Sequence, residues 1–202
     1  MAAESHDTAR LEAFSDGVFA IAITLLVLEL KVPRELAAGE PLAHALARQW
    51  PSYLAFGNSF LTIGIMWMNH HRLFTHIRRS NQALMLFNLL LLMGITVVPF
   101  PTALLAEYLG HPQQRMAAQV YTGTFVVIAI LFNLLWRYGA HGRRLLHDRA
   151  DLAAVSAISR QYAFGPLLYG LCFALAFFNV AASVSASVAL ALFFAVPPRR
   201  RG

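Results

Sequence analysis

Two groups of polar residues interrupt long apolar segments of this 202-residue chain. The first is Ser15 and Asp16, at the start of an apolar run, and the second is Asn69, His70 and His71. A carboxylate at such a position costs about 2.5–3.5 kcal/mol on membrane-insertion scales, so it is expected to face protein or water. Adjacent helical residues point about 100° apart, so the two histidines do not easily chelate one ion. We therefore expect an ion pathway or a polar helix contact here, and no metal site.

The composition argues against an ordinary soluble domain. Hydrophobic residues make up 58% of the chain, charged residues only 13%, and the mean hydropathy is +0.56. The apolar residues form long blocks, which indicates membrane helices instead of amphipathic surface helices. The single cysteine, Cys172, excludes an intrachain disulfide. No cleavage pattern follows the first apolar run, so we expect that run to remain as a helix of an all-α membrane domain over residues 1–202.

The uncharged runs predict the number of spans, because a helix needs about 20 residues to cross roughly 30 Å of hydrocarbon. Three such runs cover residues 49–71, 80–106 and 116–136. Residues 161–198 would form a helix of roughly 57 Å, so this segment must reverse once, near Asn179. The prediction is six transmembrane helices, at about residues 14–31, 50–70, 81–105, 117–137, 161–178 and 182–196.

The distribution of basic residues predicts the orientation. With a cytoplasmic N-terminus, 12 of the 16 Lys and Arg lie on the inside, as the positive-inside bias requires. We expect a plasma-membrane protein with both termini in the cytoplasm. The same bias accounts for the net charge of +6, so no nucleic-acid partner is expected. The inside residues are Arg10, Arg72, Arg78, Arg79, Arg137, Arg143, Arg144, Arg149, Arg160 and Arg199, Arg200 and Arg201.

The first predicted span is short. Only residues 17–28 separate Asp16 from Glu29, which is roughly 18 Å of helix. The helix crosses the membrane only if a charged side chain enters it. An alternative role for Ser15 and Asp16 is to cap the helix N-terminus, where the macrodipole favours an anion.

An apolar stripe runs along the same helix. Ile21, Leu25 and Leu28 lie on one side because their spacings are four and three residues, whereas Asp16 lies about 140° away from Ile21. Ordinary lipid contact or core packing gives the same pattern. The spacing alone leaves these alternatives open.

The residues around Asp16 suggest a family. The pattern R-x-x-x-F-S-D resembles the signature of the lysosomal potassium channel family called transmembrane protein 175, in its single-repeat prokaryotic branch. Two further segments are similar to family features, and the resemblance extends over essentially the whole chain. The quoted residues are Arg10, Phe14, Ser15, Asp16 and Gly17, then Trp67-Met68-Asn69-His70-His71 with Phe74, and Val98-Pro99-Phe100.

The resemblance implies a channel without a re-entrant pore loop, lined by the first helix from each of four subunits. It assigns Ile21 to the narrowest hydrophobic ring and Leu25 and Leu28 to further rings toward the outside. Thr24 lies beside the constriction as a polar selectivity helper, and Glu29 lies near the outer mouth. Potassium is then the permeant ion, and no cofactor is expected.

The resemblance also implies a polar network between the first helix and its neighbours. In this network Arg10, Ser15 and Asp16 are not ion ligands, and their expected partners come from the second polar group. The network residues are Arg10, Phe14, Ser15, Asp16, Trp67, Asn69, His70 and His71.

Further polar residues lie inside predicted spans. We expect Asn58, Asn88 and Asn133 to form helix-to-helix hydrogen bonds. Pro99 and Pro101 are expected to kink the third span.

The functional prediction is a passive potassium channel that assembles as a homotetramer in the lipid bilayer. The alternative is a proton-coupled secondary transporter or a proton-permeable channel that uses Asp16 and the histidines as proton carriers. A membrane anchor without transport is a third class. The sequence contains no nucleophile–base pair, phosphate loop or paired carboxylates, so we do not expect an enzyme.

Overall fold

The computed structural model describes residues 6–33, 39–147 and 150–196, with side chains described from Thr8 onward. Four of the basic residues used to predict the orientation, Arg149 and Arg199–Arg201, lie outside this part of the chain. The described chain is mostly helical, as predicted. Its helices are α1 Ala9–Leu25, α2 Leu42–Arg48, α3 Trp50–Phe74, α4 Gln82–Val97, α5 Pro99–Tyr108, α6 Gln114–Ala140, α7 Leu152–Leu175 and α8 Val180–Ala195.

Three helical segments of the described chain are long and apolar enough to cross a membrane. They are Ala9–Glu29, Gln82–Tyr108 and Gln114–Arg143. The first includes a 3₁₀ turn, Leu26–Glu29, which continues α1. This length and composition support a multi-pass membrane protein.

Helix α6 lies at the centre of the fold. It packs against α4, α5, α7 and α8, and its side chains Tyr121, Phe125 and Trp136 are fully buried. Helix α3 packs against α1, α5 and α8. Helix α1 contacts α3 and α4 from one side, so it lies at the edge of the subunit.

Pro99 and Pro101 divide the third predicted span into α4 and α5. Proline has no N–H, so the carbonyl four residues before it loses its helical donor. The Ile95 carbonyl accepts instead from the Val98 N–H at 3.1 Å, and the Thr102 N–H bonds the Val98 carbonyl at 3.1 Å. The prolines therefore end one helix and begin the next.

Helices α7 and α8 form a hairpin. Helix α7 begins at Leu152, well before the predicted span, and Asp151 caps it by accepting from the N–H groups of Ala153 and Ala154. The chain turns after Leu175, and Asn179 caps α8 by accepting from the Ala182 N–H at 3.0 Å. The reversal thus lies at the asparagine that the sequence indicated.

A small layer of extended chain joins three segments at one end of the bundle. Strand β1, His6–Asp7, pairs antiparallel with β2, Arg79–Ser80. The N–H groups of Arg78 and Arg79 donate to the Leu145 carbonyl at 2.9 and 3.1 Å. The chain before α1, the α3–α4 loop and the α6–α7 loop are therefore tied together, which the all-helical prediction did not include.

The three asparagines behave differently. Asn88 links helices, as described below, and Asn133 Nδ2 on α6 donates to the Tyr162 carbonyl on α7 at 2.7 Å, as predicted. For Asn58 the prediction was wrong. Its Oδ1 accepts from Thr62, one turn along the same helix, at 3.4 Å, and its Nδ2 is buried with no partner in the described chain.

Candidate functional site: the α1 stripe and its polar anchors

Helix α1 has two faces with different surroundings. Ser15, Phe19 and Ala22 are buried against α3 and α4. The opposite face is left uncovered by the described part of the subunit. The exposed fractions on this face are 60% for Ile21, 42% for Leu25 and 68% for Leu28.

The 3₁₀ turn keeps the stripe continuous. In a 3₁₀ helix, residues three apart lie directly above one another, so Leu28 stays in line with Leu25. The tighter winding also rises about 2.0 Å per residue instead of about 1.5 Å, which lengthens a short span. The segment ends at Glu29, which is half-buried and lines an open cavity with Lys31 and Glu107.

Thr24 lies on the exposed face beside Ile21. Its hydroxyl donates to the backbone carbonyls of Ala20, at 2.9 Å, and Ile21, at 3.0 Å. The hydrogen is therefore directed at the helix backbone, and the oxygen lone pairs remain available. Thr24 can accept a hydrogen bond from water or face a cation, which suits the selectivity role that the resemblance assigns to it.

Asp16 is bound by the neighbouring helix. Trp67 Nε1, on α3, donates to Asp16 Oδ1 at 2.8 Å. The Trp67 ring stacks on His71, with ring centroids 6.4 Å apart. Arg10 and Phe14, which precede Asp16 on α1, are exposed. The carboxylate thus points to α3 while Ile21 points away from the subunit.

A second, fully buried chain of hydrogen bonds anchors α1. Asn88 Nδ2, on α4, donates to Ser15 Oγ at 2.9 Å, and Ser15 Oγ donates to the Leu11 carbonyl at 2.8 Å. Asn88 Oδ1 lies 2.8 Å from His70 Nε2. Because Asn88 uses its amide hydrogen on Ser15, its oxygen must accept and His70 Nε2 must hold a proton. The chain joins α1, α4 and α3.

Two results differ from the network expected by resemblance. Among the described residues, Asn69 forms no hydrogen bond with α1. Its Oδ1 accepts instead from Arg72 Nη1, on the same helix, at 3.3 Å. Arg72 Nη2 in turn donates to the Ala195 carbonyl at the end of α8. The residue that joins α1 to its neighbours is instead Asn88, which both donates and accepts a hydrogen bond. In the sequence, Asn88 is distinguished only as an amide side chain inside an apolar helix.

Comparison with known proteins shows which family the chain belongs to. Residues 10–99, which include both polar groups, match the model of the family described as endosomal/lysosomal potassium channel TMEM175. A potassium channel of Chamaesiphon minutus is 55% identical over 196 residues, which is 96% of this chain and 97% of that protein. The chain belongs to the TMEM175 family. The resemblance stated above is therefore confirmed, and the family is one of ion channels and not of enzymes.

A solved structure and a vertebrate relative extend the comparison. The crystal structure of a lysosomal potassium-selective channel TMEM175 homologue from Chamaesiphon minutus is 54% identical, with a TM-score of 0.85, over 93% of this chain and 96% of that one. The endosomal/lysosomal proton channel TMEM175 of Gallus gallus is 34% identical over 151 residues, which is 71% of this chain but only 29% of that protein.

Proposed function

We propose that this TMEM175 protein is a potassium-selective channel whose conduction path is lined by α1. The observation that supports it most is the uncovered apolar stripe of Ile21, Leu25 and Leu28, on a helix whose other side is anchored by hydrogen bonds. The potassium-selective relative from Chamaesiphon minutus, similar over nearly the whole chain, supports the same function.

The proposed assembly is a homotetramer. One α1 helix cannot enclose a path, so copies must meet around a rotation axis, and four copies close such a ring. In each subunit six spans cross the bilayer, formed by α1, α3, α4 with α5, α6, α7 and α8. Both termini and the β1–β2 layer lie on the cytoplasmic side of the plasma membrane, following the positive-inside bias.

Conduction in this proposal depends on the Ile21 ring. A narrow apolar ring excludes ions by dewetting, and a slightly wider ring passes ions that lose part of their hydration shell. Potassium gives up water more readily than sodium, so the ring favours potassium. Thr24 presents its oxygen beside the ring, and Glu29 concentrates cations at the outer mouth, partly offset by Lys31.

A flux assay in liposomes tests the proposal. Ile21→Asn replaces the apolar ring by a polar one, so it should raise the potassium flux and lower the potassium-to-sodium ratio. The matched control is Leu167→Asn, an equally exposed apolar residue on α7, at 62% exposure. Absence of potassium flux in the wild type, or equal flux and selectivity in Ile21→Asn, contradicts the proposal.

Proton permeation is the second candidate, and the name of the Gallus gallus relative favours it. Protons would pass through water in the same α1-lined path, because no histidine lies on α1 and Asp16 is bound to Trp67. A pH-sensitive dye in potassium-free liposomes measures this flux. A flux that rises linearly with the gradient indicates a channel, whereas a saturating flux coupled to a solute indicates a secondary transporter.

A further inference from the structure

A small, partly open cavity lies between four helices of the subunit, away from α1. Its walls come from α3, α6, α7 and α8, and its volume is ≈ 40 Å³. Most of the lining is apolar, including Ile65, Ile128 and Phe194. The polar side chains in the lining are Thr62 and Asn69 on α3 and Tyr162 and Tyr169 on α7.

Tyr162 lines this cavity and carries an unsatisfied hydroxyl. The residue is 6% exposed, and its hydroxyl oxygen has no hydrogen-bond partner among the described residues. The ring is stacked between Phe132, with centroids 6.1 Å apart, and Phe194, with centroids 6.3 Å apart. A phenylalanine would make the same stacking contacts, so the packing does not explain the hydroxyl. Buried hydroxyls in proteins are nearly always hydrogen-bonded, either to protein or to ordered water.

We propose that each subunit binds ordered water in this cavity, with the Tyr162 hydroxyl as its main partner. One water needs roughly 10–15 Å³ of such volume, so the cavity has room for about three or four. The space is too small for an aromatic ring, which occupies an apolar cavity of about 150 Å³. Size and the unsatisfied hydroxyl together select water over an apolar ligand.

Thr62 and Asn69, on α3, also line the cavity and offer acceptors for the same water. Thr62 Oγ1 donates to the Asn58 carbonyl at 2.8 Å, so its lone pairs remain available. Water held by Tyr162 can donate to Thr62 or Asn69 and thereby bridge α7 to α3. Helix α3 also holds Trp67 and His70, which anchor α1. The water site therefore supports the helix on which the α1 anchors depend, and this inference is independent of the ion that the channel conducts.

A structure at a resolution that shows water, compared with Tyr162→Phe, is the direct test. We expect density in the cavity of the wild type and its loss in the variant. Thermal unfolding is an independent test, because the direction of the Tm change differs between the two cases. If the cavity holds water, Tyr162→Phe removes a hydrogen bond and lowers the Tm by about 2–4 °C. If the cavity is dry, the same substitution removes an unsatisfied hydroxyl and raises the Tm. Tyr53→Phe, at an exposed position on α3, is the control. An empty cavity or a raised Tm overturns the proposal.

Gly165→Ala provides a second test that does not depend on seeing water. A methyl group at Gly165 would lie 3.6 Å from Phe194 Cζ and 4.0 Å from Ala129 Cβ, which is ordinary contact, and both neighbours line the cavity. The methyl group reduces the space for water and leaves the Tyr162 hydroxyl without a partner. We expect Gly165→Ala to raise the Tm more in the Tyr162→Phe background than in the wild type. Equal changes in both backgrounds overturn the proposal.

Discussion

Trp67 on α3 donates a hydrogen bond to Asp16 on α1 across 2.8 Å. The bond provides a donor for a carboxylate at the start of an apolar segment, where an unpaired charge would be costly. It also fixes the rotation of α1, because Asp16 must face α3. Ile21, which is 60% exposed, is then directed away from the subunit. The polar contact on one face of α1 therefore sets the direction of the apolar stripe on the other face.

Trp67→Phe should destabilise the protein by about 1–2 kcal/mol, because it removes a donor to a charged acceptor while keeping an aromatic ring against His71. Thermal unfolding in detergent measures the loss. Trp50→Phe, at a residue that is 53% exposed at the start of α3, is the matched control. An equal Tm for the two variants would show that the Asp16 bond does not stabilise the fold.

Asn88→Leu should have a larger effect. It removes the partner that Asn88 provides to Ser15 Oγ and to His70 Nε2, both buried, at a cost of about 2–6 kcal/mol for the two groups together. Replacing every member of the chain by an apolar residue, as Ser15→Ala with His70→Phe and Asn88→Leu, should recover part of the loss. Denaturant unfolding of the two variants provides the comparison, and failure of the triple variant to recover would argue against unsatisfied polar groups as the cause.

The Asn133–Tyr162 bond compensates for Pro166. Proline cannot donate to the Tyr162 carbonyl four residues earlier, and Asn133 Nδ2 donates to it at 2.7 Å instead. Asn133→Ala should therefore cost about 1–3 kcal/mol. In the Pro166→Ala background the helical N–H returns, so the same substitution should cost clearly less. A double-mutant cycle measures this coupling, and additive effects would refute it.

His76 predicts a dependence of stability on pH. Burial, including an edge contact with the Trp136 ring at 6.2 Å, lowers the pKa of the His76 imidazole below its ordinary value of 6.5, against a smaller opposing effect of Asp151. The unfolded chain therefore takes up the proton first. The stabilisation is complete above about pH 6.5 and is lost as the pH falls through the folded pKa. The Tm of the wild type should fall between pH 7.5 and 5, and His76→Gln should flatten that slope; parallel curves would exclude His76 as the cause.

The sequence predicted the orientation of α1 well, because the period of 3.6 residues decides which side chains share a face. Asp16 and Ile21 do lie on different faces. The central role of Asn88 was missed because spacing within one helix does not show which residue of another helix lies opposite. The predicted spans end at charged residues. For this reason the prediction began the fifth span after Arg160, whereas α7 begins at Leu152. The β1–β2 pair has two residues per strand, which is too short for an alternating pattern.

The β1–β2 pair also limits how the proposed pore can change its width. It holds the entry of α1 to the loops of the same subunit, directly before the helix begins. Sliding α1 along its own axis would break the hydrogen bonds between β1 and β2. We therefore expect the proposed constriction to widen by tilting or rotation of α1 about its N-terminus, which the strand pair holds in place. The β1–β2 pair therefore resists movement most strongly at the start of the helix, next to Arg10.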